Sequence, residues 1–289
     1  LQELDVRDRR LAVGDRALLQ RHAEEDGLDL GDVQRHTDQW IAIEVERPTV
    51  GDLGDNEGTK LLAPQTGTKS PLRGEHRRGF EMREQPGQFV RQANALSYAA
   101  IGIADRNSLA GVVRAYDAWQ QLKPGTPPRL LIGARLVFQD GTPDILVYPE
   151  DRAAYGRLCR LLSLGKSRAP KGECFLSFED FAKFKAGLLP IIVPPSDVEK
   201  ARDVLAEFDG PVWLAASMLY TGEDRRRLRD LLKLARETGA RLIATNDALY
   251  HHTDQRELQD VVTCIREHST IVTAGRRLEA NAERHLKPP

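Results

Sequence analysis

Ala99-Ala-Ile-Gly-Ile-Ala-Asp-Arg-Asn-Ser-Leu-Ala-Gly, residues 99–111, decides how this chain is read. The stretch opens on an apolar run too short for a helix. It stops at four polar residues, and helical spacing follows as far as Gln121, with Ser108 placed to cap that helix. An apolar run with no polar alternation marks a strand buried on both faces. The same order recurs downstream. Apolar runs at 129–138, 145–148, 188–193, 212–216 and 241–245 predict strands. Between them, 152–164 places Tyr155, Leu158, Cys159, Leu161 and Leu162 along one helical face. Ser177-Phe-Glu-Asp has the form of a capping box. Residues 197–208 and 223–238 are amphipathic, and Gly239 is placed as a C-cap. Strand alternating with helix predicts an α/β fold on a mostly parallel sheet. A barrel and an open doubly wound sheet both satisfy the pattern.

Composition narrows the function classes. The 289 residues are 40% hydrophobic and 29% charged, with a net charge of −1. That excludes a strongly basic nucleic-acid coat and an acidic tail protein. No apolar run approaches the roughly 18 residues that span a bilayer. The first ten residues hold no apolar signal core. Cys159, Cys174 and Cys264 are isolated and odd in number, so they predict neither a disulfide framework nor a metal knuckle. Such thiols suit a reducing cytoplasm, as small buried filler.

The chain changes character near residue 88. Residues 1–88 carry 13 basic and 18 acidic side chains, whereas 89–289 carry 29 and 25. Residues 1–87 read as a low-structure segment, rich in Asp, Arg and Gly at irregular intervals, with short apolar runs such as Trp40-Ile-Ala-Ile-Glu-Val. Two readings of it stay open: a poorly ordered extension, or translation from an upstream start out of frame. Residues 88–289 read as the folded domain.

In α/β folds ligands meet the carboxyl ends of the strands. Three such ends are polar here: Asp105-Arg106-Asn107-Ser108, Gly133-Ala134-Arg135, and Thr245-Asn246-Asp247-Ala248-Leu249-Tyr250-His251-His252. Asp105 and Asp247 are the carboxylates able to ligate a cation, although ion-paired structural roles are the commoner fate of such residues. His251 and His252 read as a solvent-facing loop before a helix capped by Asp254, and His268 and His285 as surface positions. Lys166, Arg168 and Lys171 form the best placed basic loop for phosphate contact, which needs only exposed positive charge. Arg225–Arg227 read as a solvated mixed-charge face, and Arg276-Arg277 is a third basic pair. No phosphate-binding glycine loop and no nucleophile elbow is present.

The strand ends and their surroundings also carry a resemblance. Residues 99–111, Leu131-Ile-Gly-Ala-Arg-Leu, Asp151-Arg-Ala-Ala-Tyr-Gly-Arg-Leu-Cys-Arg-Leu-Leu-Ser and Lys171-Gly-Glu-Cys resemble error-prone bacterial DNA polymerases of the C family. So do Ala244-Thr-Asn-Asp, Leu258-Gln-Asp-Val-Val-Thr-Cys-Ile-Arg and Arg277-Leu-Glu-Ala-Asn-Ala-Glu-Arg-His-Leu-Lys. The similar region, about 88–289, corresponds to the N-terminal polymerase-and-histidinol-phosphatase (PHP) domain. The resemblance implies a distorted seven-stranded (β/α) barrel, incomplete at its N-terminus because no opening strand is found in residues 1–87. Glu84-Gln-Pro-Gly-Gln-Phe-Val falls roughly where the helix after that strand begins.

Metal-active members hold two or three cations with His, Asp and Glu at the strand ends. Their opening His-x-His is missing from this chain. Asp105-Arg106 stands where they carry Asp-His, Arg135 where they carry Glu, and Asp247-Ala248-Leu249 where they carry Asp-x-His. Arginine keeps its charge and offers no lone pair. The implied vestigial ligand positions are therefore Asp105, Arg106, Arg135, Asp247 and Leu249, with guanidinium groups paired to the surviving carboxylates. No catalytic residue, metal or cofactor is expected in this chain. The resemblance further implies a fragment, ending at His285-Leu-Lys-Pro-Pro289 inside the family pattern, of a polymerase that copies DNA past lesions with Mg²⁺. Its partners would be the downstream polymerase core, DNA, a sliding clamp and accessory mutagenesis proteins, in the cytoplasm and off the membrane. The alternative is a metal-dependent phosphoesterase or 3′–5′ exonuclease in the same barrel; a free-standing interaction module is a third reading.

Overall fold

A computed structural model describes residues 41–42, 85–122 and 125–288 of the chain. Strands β1 (Ile41–Ala42), β2 (Ala100–Arg106), β3 (Arg129–Leu136), β4 (Asp144–Pro149), β5 (Leu188–Val193), β6 (Trp213–Ser217) and β7 (Arg241–Thr245) form one sheet in sequence order. Neighbours pair in parallel, except that β4 is antiparallel to both β3 and β5. The connection at 137–143 is too short for a crossover helix, so the chain can only turn back on itself there. The α/β expectation therefore holds, with one reversed strand.

Ile41 and Ala42 form a two-residue strand that pairs in parallel with Ala100 and Ile101. It falls in the short apolar run 40–45, inside the segment read as low in structure. Of the rest of that segment, residues 85–87 open a helix, and 1–40 and 43–84 lie outside the described residues.

The helices are α1 (Gln85–Ala95), α2 (Val112–Gln121), α3 (Arg152–Ser167), α4 (Phe178–Phe184), α5 (Arg202–Ala206), α6 (Asp224–Thr238), α7 (Arg256–Arg266) and α8 (Ile271–Ala274). Local chemistry sets several of their ends. The Asp151 side chain accepts from the Ala154 amide, so α3 starts there. Ser177 and Asp180 form the capping box expected for α4. Gly239 takes φ 73° and ends α6, a conformation that glycine reaches without strain. Two boundaries differ from expectation. Ser108 accepts from Ala110 rather than capping a helix, and α2 starts at Val112. Residues 197–208 split into a 3₁₀ turn, Val198–Ala201, and the short helix α5.

Alternation divides the sheet into two faces. On β4, Ile145 and Val147 point outward into a core with Leu158, Leu161, Phe181, Leu231 and Leu234 of the covering helices. Leu146 and Tyr148 point inward and meet Ile191, Ala215 and Ile243 of later strands. That inner group joins Phe89, Tyr98, Ala248 and Leu286. Contacts between the two ends of the strand order require the sheet to curl. Tyr98, just before β2, hydrogen-bonds the Asn246 side chain just after β7. Phe89 of α1 meets the His251 ring edge-on, with centroids 6.2 Å apart.

Curling also demands space inside. Gly102 and Gly133 line the inner face beneath Tyr148. A β-carbon on Gly133 would lie 2.5 Å from the Val147 carbonyl and 2.7 Å from the Tyr148 ring. One on Gly102 would lie 2.6 Å from the Tyr148 hydroxyl. Both positions need glycine for this close approach.

Candidate functional site

The carboxyl ends of β2, β3 and β7 bring Arg106, Arg135 and Asp247 to one end of the curl. The reversed β4 delivers its first residue, Asp144, to the same end. Arg135 pairs with Leu146 across β3 and β4, so it shares the inner face with Asp144, two residues away on the same strand. Its Nε donates to Asp144 Oδ2 at 2.7 Å, and its Nη1 donates to Asp247 Oδ1 at 3.2 Å. The other oxygen of Asp247 takes an ion pair from Arg284, whose Nη1 reaches Glu279 Oε1 at 2.8 Å. Arg284 Nε also donates to the Asp247 carbonyl at 2.8 Å. The result is a chain of alternating charge, Asp144–Arg135–Asp247–Arg284–Glu279. Its central three side chains are only 11–13% exposed.

Asp247 adopts φ 44°, a left-handed conformation that Asp tolerates better than most residues. That turn and the two arginines fix its carboxylate. Beside it, Ser217 and Thr245 share a hydroxyl hydrogen bond of 2.6 Å across β6 and β7. Arg227, read as solvated, instead folds inward. It donates to the Pro194 and Pro195 carbonyls at 2.6 and 2.8 Å. Burial lowers its pKa, while the nearby Asp224 and Asp247 act to raise it.

The expected site residues do not all converge. Asp105 is buried, but it pairs across β3 with Ala134, not with Arg135. It therefore faces the opposite side of the sheet, where its carboxylate accepts the Gly111 amide at the approach to α2. Leu249 is buried, and its amide donates to Arg284 O at 2.9 Å. Arg106 is exposed at the rim, in register with Arg135. Of the two arginines expected at the site, Arg135 is the one that lies between Asp144 and Asp247.

The histidine readings need correction too. His251 is half-buried against Phe89, and burial lowers its pKa. His252 is exposed and contacts Asp254, which lies in a 3₁₀ turn and does not cap α7. His285 is also half-buried, its pKa lowered chiefly by burial. His268 is exposed as expected. Cys264 is buried, but Cys159 and Cys174 are only partly so.

In the basic loop, Lys166, Arg168 and Lys171 are all exposed. Arg168 is engaged: its Nη1 lies 2.7 Å from Asp180 Oδ2. Burial raises the Asp180 pKa, but Arg168 and Ser177 outweigh it and hold the carboxyl below its ordinary value.

Sequence reasoning did not reach Asp144, Glu279 or Arg284. Asp144 sits at the start of a strand, an end where no site was sought. Arg284 lies in a stretch without helix or strand, whose pattern assigns it no partner. A divalent cation does not fit this donor set. Asp247 has both oxygens engaged by guanidinium groups. Among the described residues, no group of three or more His, Cys, Asp or Glu is placed to hold a metal ion. None of their helices is long and apolar enough to cross a membrane.

No family model matches the chain. Among solved structures, a putative metal-dependent phosphoesterase from Bifidobacterium adolescentis is 14% identical, with a TM-score of 0.45 over 73% of this chain and 88% of that one. An amidohydrolase from Chromobacterium violaceum, also 14% identical, reaches a TM-score of 0.39 over 56% of this chain and 81% of its own. Curated sequences are far more similar. An error-prone DNA polymerase of Bradyrhizobium sp. (strain ORS 278) is 56% identical over 214 residues, 70% of this chain and 18% of the relative. One from Rhodopseudomonas palustris (strain BisB5) is 54% identical over 209 residues, 70% of this chain and 19% of the relative. One from Brucella abortus biovar 1 is 51% identical over 211 residues, 71% of this chain and 20% of the relative. The chain thus spans about a fifth of the length of the relatives it matches. Identity at this level over 70% of the chain makes it a homologue of part of the error-prone DNA polymerases.

Proposed function

We propose that this chain is the N-terminal scaffold of an error-prone DNA polymerase, without chemistry or metal of its own. The observation that carries this reading is Arg135 lodged between Asp144 and Asp247. A guanidinium supplies positive charge where a cation would otherwise be needed. It cannot ionise a water or accept an electron pair from a phosphoester oxygen. The two Mg²⁺ ions of nucleotidyl transfer would then belong to the polymerase core beyond these residues, in a protein that copies past lesions after DNA damage. DNA, that core, a sliding clamp and accessory mutagenesis proteins are the proposed partners, in the cytoplasm.

In this role the site's residues position rather than react. Arg135 joins β3, β4 and the loop after β7 through two carboxylates. Arg284 joins that loop to the segment that follows. The paired charges hold the strand ends in one arrangement against which a neighbouring domain can pack.

The test is metal content and nuclease activity of the purified chain after dialysis against Mn²⁺ and Zn²⁺. The expected results are less than stoichiometric metal and no hydrolysis of single-stranded DNA. Tight stoichiometric metal, with hydrolysis lost in Asp247→Asn, would overturn the reading in favour of a phosphoesterase or exonuclease.

A further inference from the structure

Residues 279–287 form no helix and pair as a strand only at one bridge, yet they are tied down along their length. Arg256 Nη2 donates to the Glu279 carbonyl at 2.8 Å, and Asn281 Nδ2 donates to Leu219 O at 2.7 Å. The amides of Leu249 and Tyr250 both donate to Arg284 O, at 2.9 and 3.3 Å. Tyr250 and His285 form a parallel bridge. Leu286 is 2% exposed, in the inner core with Phe89, Tyr98 and Ala248. Tyr98 donates its hydroxyl hydrogen to Lys287 O.

These contacts join the end of β7 to the approach to β2, at opposite ends of the strand order. Leu249 and Tyr250 follow β7, whereas Tyr98 precedes β2. No backbone pairing between β7 and β1 or β2 occurs among the described residues. The segment therefore lies where a closed barrel would have a ladder.

We propose that residues 279–287 are a closing strap, and that Arg284 is its latch. The strap joins these two ends by side chains and carbonyls, and its own guanidinium neutralises Asp247 at the end it covers. The latch is a positioning device: Arg284 holds one carboxylate on the sheet side, Asp247, and one on the strap side, Glu279. This goes beyond the scaffold reading and does not depend on it, because a metal-binding or a polymerase-associated domain would need its edges joined equally.

Hydrogen exchange on the full chain tests the strap, comparing wild type with Arg284→Ala, Arg284→Lys and Leu286→Ala. Loss of charge-assisted hydrogen bonds in Arg284→Ala is expected to speed exchange at the Leu249 and Tyr250 amides about tenfold or more. Amides of α3 and α6 should stay within about twofold, since strap opening is local. Arg284→Lys should fall between, because an ammonium lacks the planar fork that serves two carboxylates. Leu286→Ala should open the same two amides through the other anchor. Unchanged exchange at Leu249 and Tyr250 would overturn the proposal. So would an equal rise across α3 and α6, which would make the strap an ordinary part of the global fold. If Arg284→Ala fails to fold, Arg284→Lys and Leu286→Ala carry the same comparison.

Discussion

Arg135 and Arg284 divide Asp247 between them, one on each carboxylate oxygen. Removing one arginine leaves the other in place, so the two are partial substitutes for each other at Asp247. They are not equal elsewhere, because only Arg135 reaches Asp144. Arg135→Ala leaves Asp144 and half of Asp247 without a counter-charge in a largely buried setting. Breaking such a pair costs several kcal/mol when nothing remains, and about 2–3 kcal/mol is expected here. Urea midpoints give the value. Arg135→Lys should recover part of the loss, and Asp144→Asn should cost less than Arg135→Ala.

Gly102 and Gly133 both face Tyr148, but what lies behind the contact differs. A β-carbon on Gly102 would meet the tyrosine hydroxyl first, whereas one on Gly133 would meet the Val147 backbone carbonyl. Overpacking costs typically about 1–3 kcal/mol. Gly102→Ala should therefore be partly rescued by Tyr148→Phe, and Gly133→Ala should not. Thermal unfolding of the four-member cycle at each site measures the coupling.

Asn107 follows β2 with φ 45°. Its side chain accepts from the Val137 amide at 2.9 Å and donates to the Val137 carbonyl at 3.0 Å. Asn107→Ala loses both bonds and keeps an unfavourable backbone, for an expected loss of about 2–3 kcal/mol. Asn107→Gly loses the bonds alone and should be the milder change. Chemical denaturation of the two variants separates the terms.

Tyr98 sets an alkaline limit. Burial pushes its pKa from 10.0 up to about 12, against the opposing hydrogen bond with the Asn246 side chain. The folded chain thus holds this proton more tightly than the unfolded chain. The stability it contributes is complete below pH 10 and falls as pH rises from 10 towards about 12. Tyr98→Phe should lower stability at neutral pH and flatten that alkaline slope. Unfolding free energies measured from pH 8 upward give both quantities.

His251 and His285 set the acid counterpart. Burial lowers both from 6.5, so the fold favours their neutral forms. The stability this gives is present above 6.5 and is lost as pH falls from 6.5 through the folded values. His251→Phe should remove part of this acid sensitivity while keeping the ring contact with Phe89. Melting temperatures between pH 5 and pH 8 give the comparison.

Patterns confined to one element were legible in the sequence. The buried strands, the capping box at Ser177 and the glycine stop at Gly239 each follow from residues a few positions apart. Arg135 and Asp247 were marked through their places at strand ends, and they meet. Asp105 was marked on the same grounds and does not join them, because it stands one position from the residue whose face matters. A period of two decides that, and the strand run does not reveal which parity points inward. Tyr98, Asn246, Arg284 and Leu286 carry no local signature either. Their importance comes from the curl, which joins residues far apart in the sequence, and no periodicity records a contact of that range.

Because β4 runs against its neighbours, it starts where they finish, and an acid at its first position becomes a cross-brace for an arginine at the last turn of another strand. The pairing of β3 with β4 is consequently a ruler, and the turn at 137–143 only a link. Lengthening it by a single residue while the pairing stayed in place would leave the brace standing, whereas a one-step slip of the pairing would rotate Asp144 out of the interior and turn an aliphatic neighbour towards Arg135.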